Sequence, residues 1–123
     1  MLTPMLTAIT ISFANGTVSC TPDKGNAKAI RAEKVQWIRD EKTVAEFCLR
    51  FYREPAQGSY GTKDWPFTDS ARGRPNSTGW VPAFDGVVDV DDGLYRYTIE
   101  VNAAGDQNGQ IAYLDPMIII GRG

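Results

Sequence analysis

The stretch LYRYTIEV, residues 94–101, alternates without a break. Tyr95, Tyr97, Ile99 and Val101 fall on one side, Arg96, Thr98 and Glu100 on the other. A side-chain period of two is that of a β-strand with one face in a core and one in water. The same pattern recurs along the chain. In TAITISF, Ile9, Ile11 and Phe13 oppose Thr10 and Ser12, and Asn15-Gly16 then supplies a hairpin turn before TVSC, with Val18 and Cys20 inward. EKVQWIR offers Val35 and Trp37 on one face. VAEFCLRFY turns Ala45, Phe47, Leu49 and Phe51 inward and Glu46, Cys48 and Arg50 outward. GVVDV reads as a short strand with Val88 and Val90 inward, before a turn at Asp91-Asp92-Gly93. After a turn at Asn108-Gly109, IAY and MIII supply the last strands on either side of Asp115-Pro116.

Residues 27–52 also set Ile30, Ile38, Ala45 and Leu49 loosely at helical spacing. The β-branched and aromatic content there, without a clean cap, favours strands. Seven or eight half-apolar strands cannot bury their faces separately, so a second sheet is required. The expectation is one domain over residues 1–123, an all-β antiparallel sandwich with Greek-key connections.

Between the strand-rich regions lies SYGTKDWPFTDSARGRPNSTGWVPAF, residues 59–84, which has neither period. Its aromatics have two readings. In one, Trp65-Pro66-Phe67 and Trp80 to Phe84 fold back to close the open end of the sandwich, a role expected above all of Phe67 and Phe84; in the other, exposed Tyr60, Trp65 and Trp80 form a platform for a sugar ring or a partner's apolar anchor. With Arg72 and Arg74 at the loop tip, these three make up the candidate binding surface. Arg72-Gly73-Arg74-Pro75 matches the core of an AT-hook, but the flanks add no Lys or Arg for phosphate contacts and the chain is acidic overall, so nucleic acid is disfavoured. Asn76-Ser77-Thr78 has the form of a glycosylation sequon, which would matter only in a eukaryotic secretory pathway.

Taken in order, ITISFANGTVSCTPD, VQWIRD, FCLRFYREP, WPF, GLYRYTIEV and LDPMIII resemble the small bacterial cupredoxin-like sandwich proteins, in the form that has lost the metal site. The resemblance implies a cupredoxin-like or immunoglobulin-like sandwich of seven or eight strands with one long crossover. It does not imply electron transfer. Cupredoxins hold copper with two histidines and a cysteine, often with a methionine. This chain has no histidine, and VNAAGDQNGQIAY, after the tyrosine-rich strand, has no cysteine.

The lack of histidine also removes the usual general base and histidine-ligated zinc. Cys20 and Cys48 are expected on opposite strand faces, as two reduced thiols. The acidic run Asp85, Asp89, Asp91 and Asp92 misses the EF-hand spacing and reads as a turn rather than a cation site or a catalytic carboxylate pair. No cofactor and no enzymatic activity are expected. Residues 24–54 carry a local charge of +3 and residues 85–123 one of −5, an asymmetry that suits contact between subunits. Ile38 and Val87, apolar on polar faces, are further contact candidates. No apolar run nears the ~20 residues of a membrane span, and the N-terminus lacks the basic region of a signal peptide. The expectation is a cytosolic module that recognises protein, including copies of itself, with a glycan as the alternative partner.

Overall fold

Two residues with positive φ, Asn15 and Gly16, fold the start of the chain into a hairpin between β1 (Leu6–Ala14) and β2 (Thr17–Thr21). Those conformations are what a two-residue turn of matching twist needs. The computed structural model describes residues 6–53, 65–68, 76–105 and 109–121, and the strands that follow are β3 (Ala27–Ile30), β4 (Lys34–Arg39), β5 (Val44–Arg53), β6 (Ala83–Val87), β7 (Gly93–Ala103), β8 (Ile111–Leu114) and β9 (Met117–Gly121). They form two sheets. The first has the order β2-β1-β4-β6 and the second β3-β9-β7-β5, with β8 pairing with the far half of β7. One apolar core lies between the sheets, so the all-β, sandwich-like reading holds.

The sheets are mixed rather than antiparallel, because β1 runs parallel to β4 and β3 parallel to β9. Alternation shows which face a residue takes but not which way its neighbour runs. Here the chain leaves the sheet between the two partners of each pair, and a parallel pairing requires such a crossover. The described residues hold nine strands rather than seven or eight. The extra one is β3, whose four residues bury only Ala29, too short a run for alternation to stand out. In β5 a register shift between Val44 and Glu46 moves the alternation by one, so Val44 is buried and Ala45 is only half-buried. Strand β6 begins at Ala83, inside the segment read as irregular, and ends at Val87. Beyond it, Val88 is buried and bridged to Phe67, and Val90 packs half-buried against the core.

Trp37 on the first sheet organises the core. Its ring meets Phe51 and Tyr97 of the second sheet edge-on, with centroids 5.7 and 5.6 Å away, and Phe67 at 5.8 Å. Edge-to-face contact is the favoured arrangement for rings with negative faces and positive edges. The buried Tyr97 hydroxyl accepts a hydrogen bond from Trp37 Nε1 at 3.3 Å and donates one to the Gly25 carbonyl. Both partners matter, since a buried hydroxyl left unpaired is costly. Gly25 itself has φ of +87°, and a Cβ there would stand 3.2 Å from Cys20 and Pro116.

Two expectations follow from this core. At Gly86 an added Cβ would lie 2.5 Å from the Phe67 ring. Gly86→Ala should therefore lower stability by about 1–3 kcal/mol in denaturant titration, as overpacking does. Burial pushes the Cys20 thiol from 9.0 up to about 12 and raises the Tyr97 phenol, which the hydrogen bond from Trp37 only partly opposes. The folded chain thus keeps protons that the unfolded chain releases. This contribution is fully present below pH 9 and is lost as pH rises toward 12. The denaturation midpoint should fall through that window, and less steeply in Cys20→Ala.

Candidate functional site

With Tyr95, Tyr97, Ile99 and Val101 locked in the core, the other half of β7 is fixed on the outer face of the second sheet. Leu94, Arg96, Thr98, Glu100 and Asn102 run along it. Register supplies their neighbours. On β5, Tyr52 stands beside Arg96, Arg50 beside Thr98, and Cys48 beside Glu100. On the other flank, Ile119 stands beside Leu94, Met117 beside Arg96, Tyr113 beside Glu100 and Ile111 beside Asn102. Of the large apolar side chains exposed among the described residues, Ile30, Tyr52, Ile111, Tyr113 and Ile119 share this face, with Tyr113 61% and Ile111 56% exposed.

A groove of about 210 Å³ is sunk into the face, lined by Cys48, Arg50, Ser77, Thr98, Glu100 and Tyr113. Its wall is built by the end of the long crossover. The positive φ of Asn76 and Gly79 bends residues 76–79 against the edge of β5. Phe51 N–H donates to the Asn76 carbonyl, Thr78 N–H donates to Leu49, and Leu49 N–H donates back to Thr78 Oγ1 at 3.0 Å. Ser77 Oγ accepts from Gly79 N–H at 2.9 Å and lies 3.2 Å from the Cys48 thiol. Thr98 Oγ1 donates to Asp115 at 2.8 Å. A second hollow of about 310 Å³, lined by Asp23, Asn26, Ala27, Lys28, Met117 and Ile119, lies toward the β3 side. The groove thus offers a cation, an anion and hydroxyls beside exposed apolar side chains, which suits binding.

The residues singled out in the sequence are scattered. Trp65 is half-buried, its ring edge-on to Phe51 at 5.6 Å and to Phe67 at 5.4 Å, alongside the core-closing Phe84. Trp80 is 42% exposed, next to Val81, which bridges Phe47 at the edge of β5. Tyr60, Arg72 and Arg74 lie outside the described residues, as does most of the segment around them. The acidic run is engaged by cations of the same chain. Arg31 pairs with Asp89 at 3.3 Å and Asp91 at 3.0 Å, and Arg53 lies 3.5 Å from Asp92. Part of the charge asymmetry is therefore satisfied internally. Among the described residues no group of three or more Cys, Asp or Glu side chains could hold a metal ion, and no helix is long and apolar enough to cross a membrane.

The groove itself was not singled out in the sequence, although the outward positions of Cys48, Arg50, Thr98 and Glu100 are legible there. What alternation cannot supply is that β5 and β7 are neighbours, or that Ser77 arrives from the crossover. No protein-family model matches the chain, and comparison with curated proteins and with solved structures finds no match.

The two thiols differ sharply. Cys20 is buried in the core and Cys48 lines the groove, both unbridged. A thiol reagent at pH 8 should label Cys48 in the folded protein and reach Cys20 only in denaturant, as peptide mass mapping would show. Equal labelling of both in the native state would contradict the burial of Cys20.

Proposed function

We propose that this chain is a non-catalytic binding or assembly module, a cupredoxin-like sandwich with Greek-key links and no copper site. It acts by surface recognition of protein, with a second copy of itself as the first partner. The observation that carries the reading is the outer face of the second sheet. Ile30, Ile119, Tyr52, Ile111 and Tyr113 are exposed on that face, interspersed with Arg50, Arg96 and Glu100. Exposed apolar side chains gathered on one face and flanked by charge are characteristic of protein interfaces, whereas scattered single ones are ordinary. The repeated passage of the chain between the two sheets supports the Greek-key part of the proposal, and the absence of histidine supports a fold used without copper.

Carbohydrate binding is the second reading, and it rests on the exposed ring of Trp80. Light scattering coupled to size exclusion separates the two. Self-association predicts a mass that rises above the 13.5 kDa monomer with concentration, and that falls in Ile119→Asp. A monomer at every concentration removes self-association. The carbohydrate reading predicts binding on a glycan array that is lost in Trp80→Ala with folding intact.

A further inference from the structure

We propose that the groove beside β5, β7 and β8 is a binding site for a free α-amino acid, with Arg50 taking its carboxylate and Glu100 its ammonium group. The site stands apart from the assembly reading, and neither depends on the other. Two charges that the fold leaves unengaged are the starting point. Arg50 and Glu100 both line the groove. Arg50 stands beside Thr98 and Cys48 beside Glu100, so the two charges are diagonal neighbours across β5 and β7. Residues so placed are about 7–8 Å apart, within reach of long side chains. They nevertheless form no ion pair with each other, and among the described residues neither side chain has a hydrogen-bond partner. Elsewhere the arginines are engaged. Arg31 holds Asp89 and Asp91, Arg53 lies against Asp92, and Arg39 donates to the Val44 carbonyl.

The hydroxyls of the groove are already fixed in their roles. Thr98 Oγ1 gives its proton to Asp115 at 2.8 Å, so toward any further group it can only accept. Ser77, 1% exposed, accepts from Gly79 N–H at 2.9 Å and lies 3.2 Å from the Cys48 sulfur. Thr98 is beside Arg50 and two residues before Glu100 on the same strand. An ammonium group held by the Glu100 carboxylate therefore has a second acceptor within the groove. At the other end, the guanidinium fork of Arg50 takes a carboxylate through two parallel hydrogen bonds.

Size and charge narrow the class of ligand. The groove encloses about 210 Å³, whereas drug-sized ligands fill about 300–1,000 Å³. A nucleotide or an oligosaccharide is too large to be held there. One cation beside one anion disfavours a phosphate or a dicarboxylate, which Glu100 would repel. An α-amino acid carries both charges on one carbon and meets both groups at once. A peptide terminus brings only one of the two charges. Cys48 and the Tyr113 ring border the rest of the groove and give the ligand's side chain an apolar surface.

The test is a matched ligand series on the full chain. Glycine, L-leucine and L-phenylalanine are compared with the N-acetyl forms, which lack the ammonium group, and the amides, which lack the carboxylate. At least one free amino acid should bind with a Kd at or below about 1 mM in ligand-observed NMR, and should slow maleimide labelling of Cys48 as it saturates. Its blocked forms should each bind at least about tenfold more weakly, as loss of a charged hydrogen-bonded contact requires. Two variants assign the ends. In Arg50→Gln the amino acid and its amide should bind within about threefold of each other, and in Glu100→Gln the amino acid and its N-acetyl form should do so. Circular dichroism reports whether each variant folds, and if one does not, the ligand series on the unmodified chain decides alone. No saturable binding by any of the three amino acids, or binding that leaves Cys48 labelling unchanged, would overturn the site. So would a blocked form that binds as well as the free amino acid, since the groove would then read a chain terminus. None of these outcomes touches self-association, which light scattering tests separately.

Discussion

The contact of Trp37 with Phe51 and Tyr97 is the point on which the two sheets depend. It joins the middle of the first sheet to the middle of the second, and each aromatic pair of this kind contributes about 0.5–1.5 kcal/mol beyond the area it buries. The cluster also fastens the long crossover. Phe67 sits between Trp37 and Phe51, and Trp65 and Phe84 pack on Phe67 in turn. Gly86 provides the space that the Phe67 ring occupies. Through Tyr97 the cluster reaches the β2–β3 corner as well, since the phenol donates to Gly25 there.

The outer face inherits its order from this core. In a strand, a slip of one residue sends every side chain to the opposite face. Burying Tyr95, Tyr97, Ile99 and Val101 therefore leaves no freedom in where Arg96, Thr98 and Glu100 point. The same holds on β5, where Phe47, Leu49 and Phe51 fix the outward Cys48, Arg50 and Tyr52. The candidate surface is in this sense a by-product of packing, and its charge pattern needs no loop to hold it in place.

This explains what could be read from the sequence. The faces of β1, β2, β4 and β7 are visible in alternation alone, the turn at Asn15-Gly16 in its residue types, and the role of Phe67 and Phe84 in closing the core in the aromatic content of a long connection without a period. Alternation does not carry strand direction, so the parallel pairs β1–β4 and β3–β9 had no signal. Nor does it register a bulge, which is why Val44 rather than Ala45 is buried. The candidate site was half legible. Its outward residues could be listed strand by strand, but their convergence depends on the pairing of β5 with β7, on the β8 hairpin, and on the bend that brings Ser77 to Cys48. The ion pairs of Arg31 with Asp89 and Asp91 link residues some sixty positions apart, a separation over which no local pattern operates.

Sheet edges are the usual alternative to a face as a route to assembly, because they present unpaired backbone groups. Here the crossover covers two of the five strands that border a sheet among the described residues, β2, β6, β3, β5 and β8. Residues 76–81 hydrogen-bond along β5 through Asn76, Thr78 and Val81, and residues 66–68 do the same at the end of β6 through Pro66 and Thr68. Of the other three, β3 and β8 are only four residues long, and β2 exposes Thr17, Ser19 and Thr21 between its buried residues. Short or polar edges make weak templates for strand addition. The apolar side chains, by contrast, lie on the broad face of the second sheet, where a partner gains burial without disturbing a backbone bond. The long crossover thus serves two ends of one arrangement: its aromatics complete the core, and its backbone covers the edges at β5 and the end of β6, while the remaining edges are short or polar.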